Sequence, residues 1–286
     1  MYTGREEQTA MKMKDHLCPE EAALSYSKYY YLPLDPPDPM AMQLINEGSQ
    51  DPAKALTIDR INDLFQPGYL PIEMGYTMMP DGSAVIANYV RMPGVTTDMI
   101  DWWFCWHWFT PPSVPPGNGN LRYKLWNPKE HWDTGADEAS QKRLLDESLP
   151  WRLRRAPSTN YIHESVDYGE VRQLDAWGLE PQELGVDLEE LKKPNMGTVI
   201  TACLPIDNPA VGIHYYRPIR DGVELRTRYW FGWAVVDGAP RRIPESMPSE
   251  ELVRNFTIHN ATEYPHLAAF LPSLYREESW KPLTAY

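Results

Sequence analysis

The sequence predicts an α+β fold in which a curved antiparallel sheet wraps around a long C-terminal helix. Residues 1–75 show short helical patterns interrupted by prolines, whereas later segments alternate between apolar and polar residues as strands do. A long helical pattern begins at Ser249 and closes the chain. We therefore expect a small, mostly helical domain over residues 1–75 and a larger domain over 76–286.

The N-terminal domain is expected to contain two short helices. The first opens at Pro19, and the second runs from Asp51 to Phe65. A proline-rich stretch, LPLDPPDP, lies between them and separates the two helices. The apolar stripe of the second helix consists of Leu56, Ile61, Leu64 and Phe65.

Turn and capping residues predict the elements of the larger domain. Hairpins are expected around Pro80-Asp81-Gly82 and around Asp221-Gly222. Thr96 or Thr97 can cap a helix that runs to Phe109, and the prolines that follow end it. The remaining strands are predicted over residues 121–126, 160–168 and 197–206.

The composition argues against several classes of protein. The 286 residues carry a formal net charge of −13 without a lysine- or arginine-rich run, so no nucleic-acid surface is expected. The chain lacks an apolar run of ~18 residues and a signal-peptide core, which predicts a cytoplasmic protein that does not cross a membrane. Cys18, Cys105 and Cys203 lie far apart and indicate neither a disulfide framework nor a thiolate metal site. Eleven tryptophans suit a pocket for a flat ligand.

Two ionisable residues interrupt the apolar face of the predicted C-terminal helix. That face consists of Leu252, Phe256, His259, Glu263, Leu267 and Phe270. A buried histidine and a buried glutamate one turn apart need a partner, because an unpaired buried charge is strongly destabilising. A metal ion would bind both side chains. Alternatively, His259 and Glu263 pair with each other on a more solvated face.

Two further residues are candidate metal ligands. Glu164 alternates with Ile162 and Val166, and this β-branched face should point inward, which makes Glu164 a ligand or a perturbed acid or base. If the inward face is the opposite one, Glu164 is an ordinary surface residue. His131 follows the strand predicted over residues 121–126 and is expected in a loop at the end of the sheet. Taken alone, it could equally be a solvated loop histidine.

The hairpin at Asp221-Gly222 brings two more side chains together. A two-residue type I′ turn there would pair Arg220 with Val223 and place His214 directly opposite Tyr229. Such a pair can transfer protons or bind a carbonyl oxygen. It can also be a packed aromatic pair without a chemical role.

Several motifs in fixed order resemble the 2,4-diacetylphloroglucinol hydrolase and phloretin hydrolase family. They are RYKLWNPKEHW, the inward Glu164, IHYYRPIRDG with RYWFGW, and HNATE, and the tryptophan-rich DWWFCWHWF also fits. The resemblance implies a Bet v 1-like hydrolase domain behind a small helical domain, usually as a homodimer. It further implies a zinc ion, or another divalent metal, whose ligands would be His131, Glu164, His259 and Glu263.

The resemblance also implies an activity and a pocket. The activity is hydrolysis of the C–C bond between an acyl group and a polyhydroxylated aromatic ring, with a small acyl-phenol as the substrate. Tyr123 and Tyr229 are expected to bind and activate this substrate, and His214 to carry a proton. Thr134 stands at a substrate-binding position where the family has an amide, and a threonine lacks the NH₂ donor. Recognition of a substrate oxygen is therefore expected to differ there.

Two other functions remain open from the residues alone. Two histidines and a carboxylate also suit a non-haem iron oxygenase acting on a phenol. A non-catalytic binder of aromatic ligands is the other alternative. Turnover without oxygen distinguishes a hydrolase from the oxygenase, and bound metal distinguishes an enzyme from the binder.

Overall fold

An eight-stranded antiparallel sheet forms the main body of the protein in a computed structural model that describes residues 17–115, 117–165, 172–204 and 209–285. Its strand order is β1-β2-β8-β7-β6-β5-β4-β3. The strands are β1 (Gly75–Met78), β2 (Ala84–Pro93), β3 (His131–Ala136), β4 (Ser158–Glu164), β5 (Arg172–Gly178), β6 (Thr198–Leu204), β7 (Ala210–Ile219) and β8 (Gly222–Phe231). A separate pair follows, β9 (Trp233–Val236) with β10 (Ala239–Arg242).

Eight α-helices surround the sheet in the described part of the chain. They are α1 (Pro19–Ala22), α2 (Pro39–Glu47), α3 (Thr97–Trp106), α4 (Leu121–Lys124), α5 (Glu138–Leu144), α6 (Trp151–Arg154), α7 (Leu188–Lys192) and α8 (Glu250–Glu278). Short 3₁₀ helices span Ser27–Tyr31, Pro52–Lys54, Ile58–Phe65 and Pro181–Leu184. None of the described helices is both long enough and apolar enough to cross a bilayer.

The long helix α8 begins where the sequence predicts it. Ser249 caps it by accepting a hydrogen bond from the Leu252 N–H at 3.1 Å. The helix packs against β1 and β2, where Phe256 joins a buried apolar cluster with Ile86 and Phe231. The predicted antiparallel sheet and closing helix are therefore confirmed.

Both faces of the sheet are covered by apolar side chains, and N-terminal residues contribute to both layers. Tyr26 packs in the cluster that contains Trp103 of α3 and Leu267 of α8. On the opposite face, Leu64 packs with Tyr215 of β7. The N-terminal helices thus share cores with the sheet, and the division of the chain at residue 75 stays a prediction.

The strand predicted over residues 121–126 is wrong, because this segment forms α4 and a following turn. Asn120 caps the helix by accepting a hydrogen bond from the Arg122 N–H at 3.0 Å. The Asn120 amide also donates to the carbonyls of His107 and Thr134, at 2.9 and 3.1 Å. These three bonds stabilise a helical start that an alternating apolar pattern does not reveal.

Other elements differ from the prediction in extent. The helix expected from Asp51 to Phe65 is two 3₁₀ segments rather than one α-helix. The strand predicted over residues 160–168 ends at Glu164, and the last three predicted positions, 166–168, lie outside the described residues. The hairpin around Pro80-Asp81-Gly82 is confirmed, and so is the start of the helix capped by Thr96, which ends at Trp106 rather than at Phe109.

The hairpin between β7 and β8 is present, but its register differs from the predicted one. Ile219 pairs with Gly222, so the two turn residues are Arg220 and Asp221 rather than Asp221 and Gly222. A Cβ on Gly222 would lie 2.3 Å from the carbonyl oxygen of Met92 on β2. The glycine is therefore required by close contact with a neighbouring strand, not by the turn.

Candidate metal centre and pocket

The four predicted metal ligands converge between the sheet and α8. His131 is the first residue of β3, not a loop residue, and it pairs directly with Glu164 at the end of β4. One ligand atom each of His131, Glu164 and His259 lie within 4.8 Å of one another. Glu263 Oε2 lies 3.4 Å from His131 Nε2 and 3.6 Å from His259 Nε2. The structure thus brings all four side chains together from three elements.

The donor set fits a divalent metal ion. His131 is fully buried, and neither of its ring nitrogens has a hydrogen bond of good geometry to a described residue, although the backbone of Tyr123 is near enough to interact with the ring. Buried polar groups are normally well paired, so this imidazole facing two carboxylates is suited to sharing a cation with them. Nitrogen and oxygen ligands ~2 Å from a tetrahedral ion lie roughly 3–3.5 Å from one another. The 3.4 Å and 3.6 Å separations are close to that spacing.

Burial and mutual charge perturb the cluster. Burial, with His259 and His107 nearby, holds the pKa of His131 well below its usual value. Burial also lowers the pKa of His259, but Glu263, Glu130 and Glu164 outweigh it and raise that pKa to about 10. Burial is the main cause that raises the pKa of Glu263 to about 8. Without a cation the cluster therefore retains protons, and a metal ion would have to displace them.

Two residues orient the candidate ligands. The Glu130 carboxylate lies 2.8 Å from His259 Nδ1, and the Asn127 amide donates to the same carboxylate oxygen at 2.6 Å. Tyr123 donates its hydroxyl hydrogen to Glu164. The sequence pattern does not single out Glu130, because its partner His259 lies far away along the chain. A histidine that binds a metal commonly has a carboxylate on its other nitrogen.

The predicted contact between His214 and Tyr229 exists, although these residues do not face each other across the strands. His214 pairs with Thr227, and Tyr229 pairs with Gly212. A two-residue change of register keeps each side chain on the same face. His214 Nε2 lies 3.0 Å from the Tyr229 hydroxyl, and Nδ1 lies 2.8 Å from Thr227 Oγ1. A Cβ on Gly212 would lie 2.3 Å from the Tyr229 ring, so the glycine makes room for it.

Further groups around His214 define its protonation state. The Tyr264 hydroxyl lies 3.2 Å from both nitrogens of the His214 ring. Burial lowers the pKa of His214 to about 3. Burial also raises the pKa values of Tyr229 and Tyr264. At neutral pH the three side chains are uncharged and are linked by hydrogen bonds that can carry a proton.

A cavity of about 100 Å³ connects the cluster and the His214 group. Its wall includes Glu164, His259, Glu263, Tyr123, His214 and Tyr229. The remaining wall is mainly aromatic and aliphatic, which suits a flat ligand. Pockets for drug-sized ligands usually measure ~300–1,000 Å³, so a two-ring ligand requires neighbouring side chains to move.

Two predicted site residues, His131 and Thr134, do not line the cavity, and Thr134 also lies apart from the metal cluster. The Thr134 side chain has a structural partner instead. Its hydroxyl donates to the Tyr161 carbonyl at 2.8 Å. Amide side chains come to the wall from elsewhere, from Asn160 on β4 and Asn260 on α8. Nothing in the local sequence pattern of these two residues distinguishes them from structural asparagines.

Comparison with known proteins identifies the family of the chain. Residues 56–276 match the family model described as the DAPG hydrolase PhiG domain. The chain is 31% identical over 265 residues to phloretin hydrolase from Eubacterium ramulus, covering 91% of this chain and 92% of that protein. It is 29% identical over 270 residues to 2,4-diacetylphloroglucinol hydrolase from Pseudomonas protegens, covering 88% of this chain and 84% of the relative. The chain therefore belongs to the DAPG hydrolase family, as its ordered motifs predict.

Proposed function

We propose that this protein hydrolyses the C–C bond between an acyl group and a polyhydroxylated aromatic ring, which yields a carboxylic acid and the deacylated phenol. Membership of a family whose relatives are named phloretin hydrolase and 2,4-diacetylphloroglucinol hydrolase supports this proposal. One structural observation carries it. Three of the four candidate metal ligands and the His214–Tyr229 pair line the same aromatic cavity.

The proposed cofactor is Zn²⁺ or another divalent metal, held by His131, Glu164, His259 and Glu263. When bound, such an ion polarises a substrate oxygen or lowers the pKa of a water toward ~7. The two carboxylates offset much of its charge, which favours binding of a substrate oxygen over activation of water. Glu130 and Tyr123 orient two of the proposed ligands through their hydrogen bonds.

Protonation of the ring carbon makes the C–C bond breakable. It converts the phenol into its keto tautomer, so the substrate becomes a β-diketone. Water then adds to the acyl carbonyl, and the ring leaves as a phenolate or enolate. His214 is the proposed proton carrier, because a neutral imidazole has one nitrogen that accepts a proton and one that donates.

The tyrosine hydroxyls are the proposed donors to substrate oxygens. Tyr229 stays protonated, because burial raises its pKa, and it therefore remains a donor at neutral pH. For Tyr123 to bind substrate, its hydroxyl must exchange Glu164 for a substrate oxygen. Thr134, proposed as a further contact, would have to release the Tyr161 carbonyl in the same way.

We also propose that the sheet and α8 form a Bet v 1-like hydrolase domain with a small helical domain in front of it. The antiparallel sheet with a long C-terminal helix across one face supports this assignment.

The experiment is incubation of the purified protein with acylated phloroglucinols and with phloretin, followed by mass detection of the released acid and ring. In H₂¹⁸O the label should appear in the carboxylic acid, and turnover should continue without oxygen. Incorporation from ¹⁸O₂ would instead place the enzyme among the oxygenases. Binding of these phenols without release of a carboxylic acid would indicate a non-catalytic binder.

A further inference from the structure

His107 directly follows α3 and lines the cavity. Its ring stacks on Trp103 with centroids 5.0 Å apart and on Tyr123 with centroids 5.9 Å apart. Further ring contacts come edge-on from Phe104, Trp108 and Trp126. Contacts on several sides fix the orientation of the imidazole before a ligand arrives.

The hydrogen bond of the His107 ring determines which nitrogen carries the proton. Nδ1 lies 2.7 Å from the backbone carbonyl of Trp103. A carbonyl oxygen can only accept, so Nδ1 must donate. Burial lowers the pKa of His107 to about 3, which keeps the ring neutral. Nε2 therefore holds a lone pair and acts as an acceptor with a fixed direction.

The hydrogen bond of the His107 ring is made by Nδ1, and no described residue forms a hydrogen bond with Nε2. Two other acceptors in the cavity wall share this state. The Oδ1 atoms of Asn160 and Asn260 are buried without a hydrogen-bond partner among the described residues. Unpaired acceptors in one wall favour a ligand that supplies hydrogen-bond donors.

We propose that Nε2 of His107 accepts a hydrogen bond from a free hydroxyl group on the aromatic ring of the substrate. This inference rests on the function proposed above, since it assumes that a hydroxylated ring enters the cavity. His107 then determines specificity. A free hydroxyl satisfies Nε2, whereas a methyl ether places a methyl group against the lone pair and leaves it unpaired.

The test compares two substrates that differ in one donor, an acylphloroglucinol and its mono-O-methyl ether. For each, kcat/KM is measured with the native protein and with His107→Phe, which keeps an aromatic ring and removes the acceptor. We expect the preference for the free hydroxyl to fall about tenfold in the variant. The Trp103 carbonyl keeps its bond from the His107 backbone N–H at 3.0 Å, so the substitution does not leave it unpaired.

Two variants and a binding measurement separate the outcomes. His107→Gln offers an amide oxygen near the position of Nε2 and should restore part of the preference. His266→Phe is a matched control, because His266 is buried against Phe270 and is not part of the cavity wall. Its preference should equal that of the native protein. Calorimetry with phloroglucinol and 3,5-dimethoxyphenol measures the same preference without hydrolysis.

The inference and the proposed function can fail separately. Hydrolysis with an unchanged preference in His107→Phe rejects the role of His107 and leaves the function intact. The protein could also bind the free phenol preferentially, in a way that depends on His107, and yet release no acid. That result supports the inference and rejects the function. A native protein that binds neither phenol overturns the inference.

Discussion

The ring of Tyr123 lies parallel to the ring of His131, with an interplanar angle of 1° and centroids 4.1 Å apart. The hydroxyl of the same tyrosine donates to Glu164. One side chain on α4 therefore contacts two candidate metal ligands that come from two different strands. The resemblance to known hydrolases implies substrate binding for Tyr123, and the geometry adds an orienting role toward the cluster.

Tyr123→Phe should weaken metal binding while the fold is kept. The variant keeps the ring that stacks on His131 and removes the donor to Glu164, which leaves a buried carboxylate oxygen with one partner fewer. We expect metal affinity to fall about tenfold, as measured by competition with a chromogenic chelator. Circular dichroism should show an unchanged fold.

Tyr76→Phe is the matched control for this change. The Tyr76 hydroxyl donates to Glu250 Oε1 at 2.9 Å, near the start of α8 and apart from the cluster. Its removal should leave metal affinity unchanged. Equal metal affinities for Tyr123→Phe and the native protein would show that Tyr123 does not orient the ligands.

Glu130→Gln should lower metal affinity about 10- to 100-fold. The carboxylate accepts from His259 Nδ1 and so leaves the lone pair on Nε2, which faces Glu263. A glutamine amide can donate to Nδ1 instead, and that bond would move the imidazole proton to Nε2 and block metal binding there. Asp101→Asn removes another buried carboxylate, one bound by Arg155, and should leave metal affinity unchanged. Loss of affinity in both variants would indicate general destabilisation.

The metal itself gives a third prediction. Elemental analysis should find about one divalent ion per chain, and Glu263→Gln should lower that content. Chelation should lower the melting temperature, because it leaves His131 and Glu263 buried without the partner that binding supplies. Adding zinc back should restore it. Metal-free protein that is active and insensitive to chelators would contradict the proposed site.

The sequence predicts those site residues that lie within a single helix or strand with a regular hydrophobic period. His259 and Glu263 interrupt an otherwise apolar helical stripe, and the structure buries both. Glu164 follows from the two-residue period of a strand in the same way. Local periodicity therefore shows that these side chains face inward, without any knowledge of the tertiary contacts.

Features that depend on contacts between distant segments could not be predicted in this way. The close contact that requires a glycine at position 222 is made with Met92, a residue on another strand. The role of Glu130 depends on His259, which lies 129 positions away. The free acceptor of His107 becomes visible only when the cavity is known. Sequence period carries no information about such pairs.

Acid should destabilise the protein through its buried neutral histidines. Burial lowers the pKa of His107 to about 3 from 6.5, so between these values the unfolded chain binds a proton that the folded chain does not. This proton uptake does not affect the free energy of unfolding above pH 6.5, and it lowers that free energy progressively as the pH falls toward 3. Each such histidine changes the free energy of unfolding by up to ~1.4 kcal/mol per pH unit.

Urea unfolding of the native protein and of His107→Phe between pH 7 and pH 4 measures this change, which should reach up to ~1.4 kcal/mol for each pH unit below pH 6.5. The stability of the native protein relative to the variant should decrease as the pH falls, because the variant lacks this titrating group. Trp108→Phe changes a neighbouring ring without a titrating group, so its stability difference from the native protein should stay constant with pH. A constant difference for His107→Phe as well would mean that His107 has the same pKa in the folded and the unfolded chain.

The pair formed by His214 and Tyr229 gives the last prediction, which separates a chemical role from packing. His214→Ala should lower kcat by ~10²-fold or more if this imidazole carries the proton. Tyr229→Phe keeps the ring over Gly212, should leave stability nearly intact and should weaken transition-state binding by ~1–3 kcal/mol. Neither variant should change metal content. If His214 only packs, His214→Ala instead lowers the melting temperature and leaves turnover of the folded fraction near normal.

Thr227→Val refines the result, because it removes the 2.8 Å partner of Nδ1 and leaves Nε2 and Tyr229 in contact. A smaller loss of kcat in Thr227→Val than in His214→Ala places the proton transfer at Nε2, on the side of the ring that Tyr229 contacts.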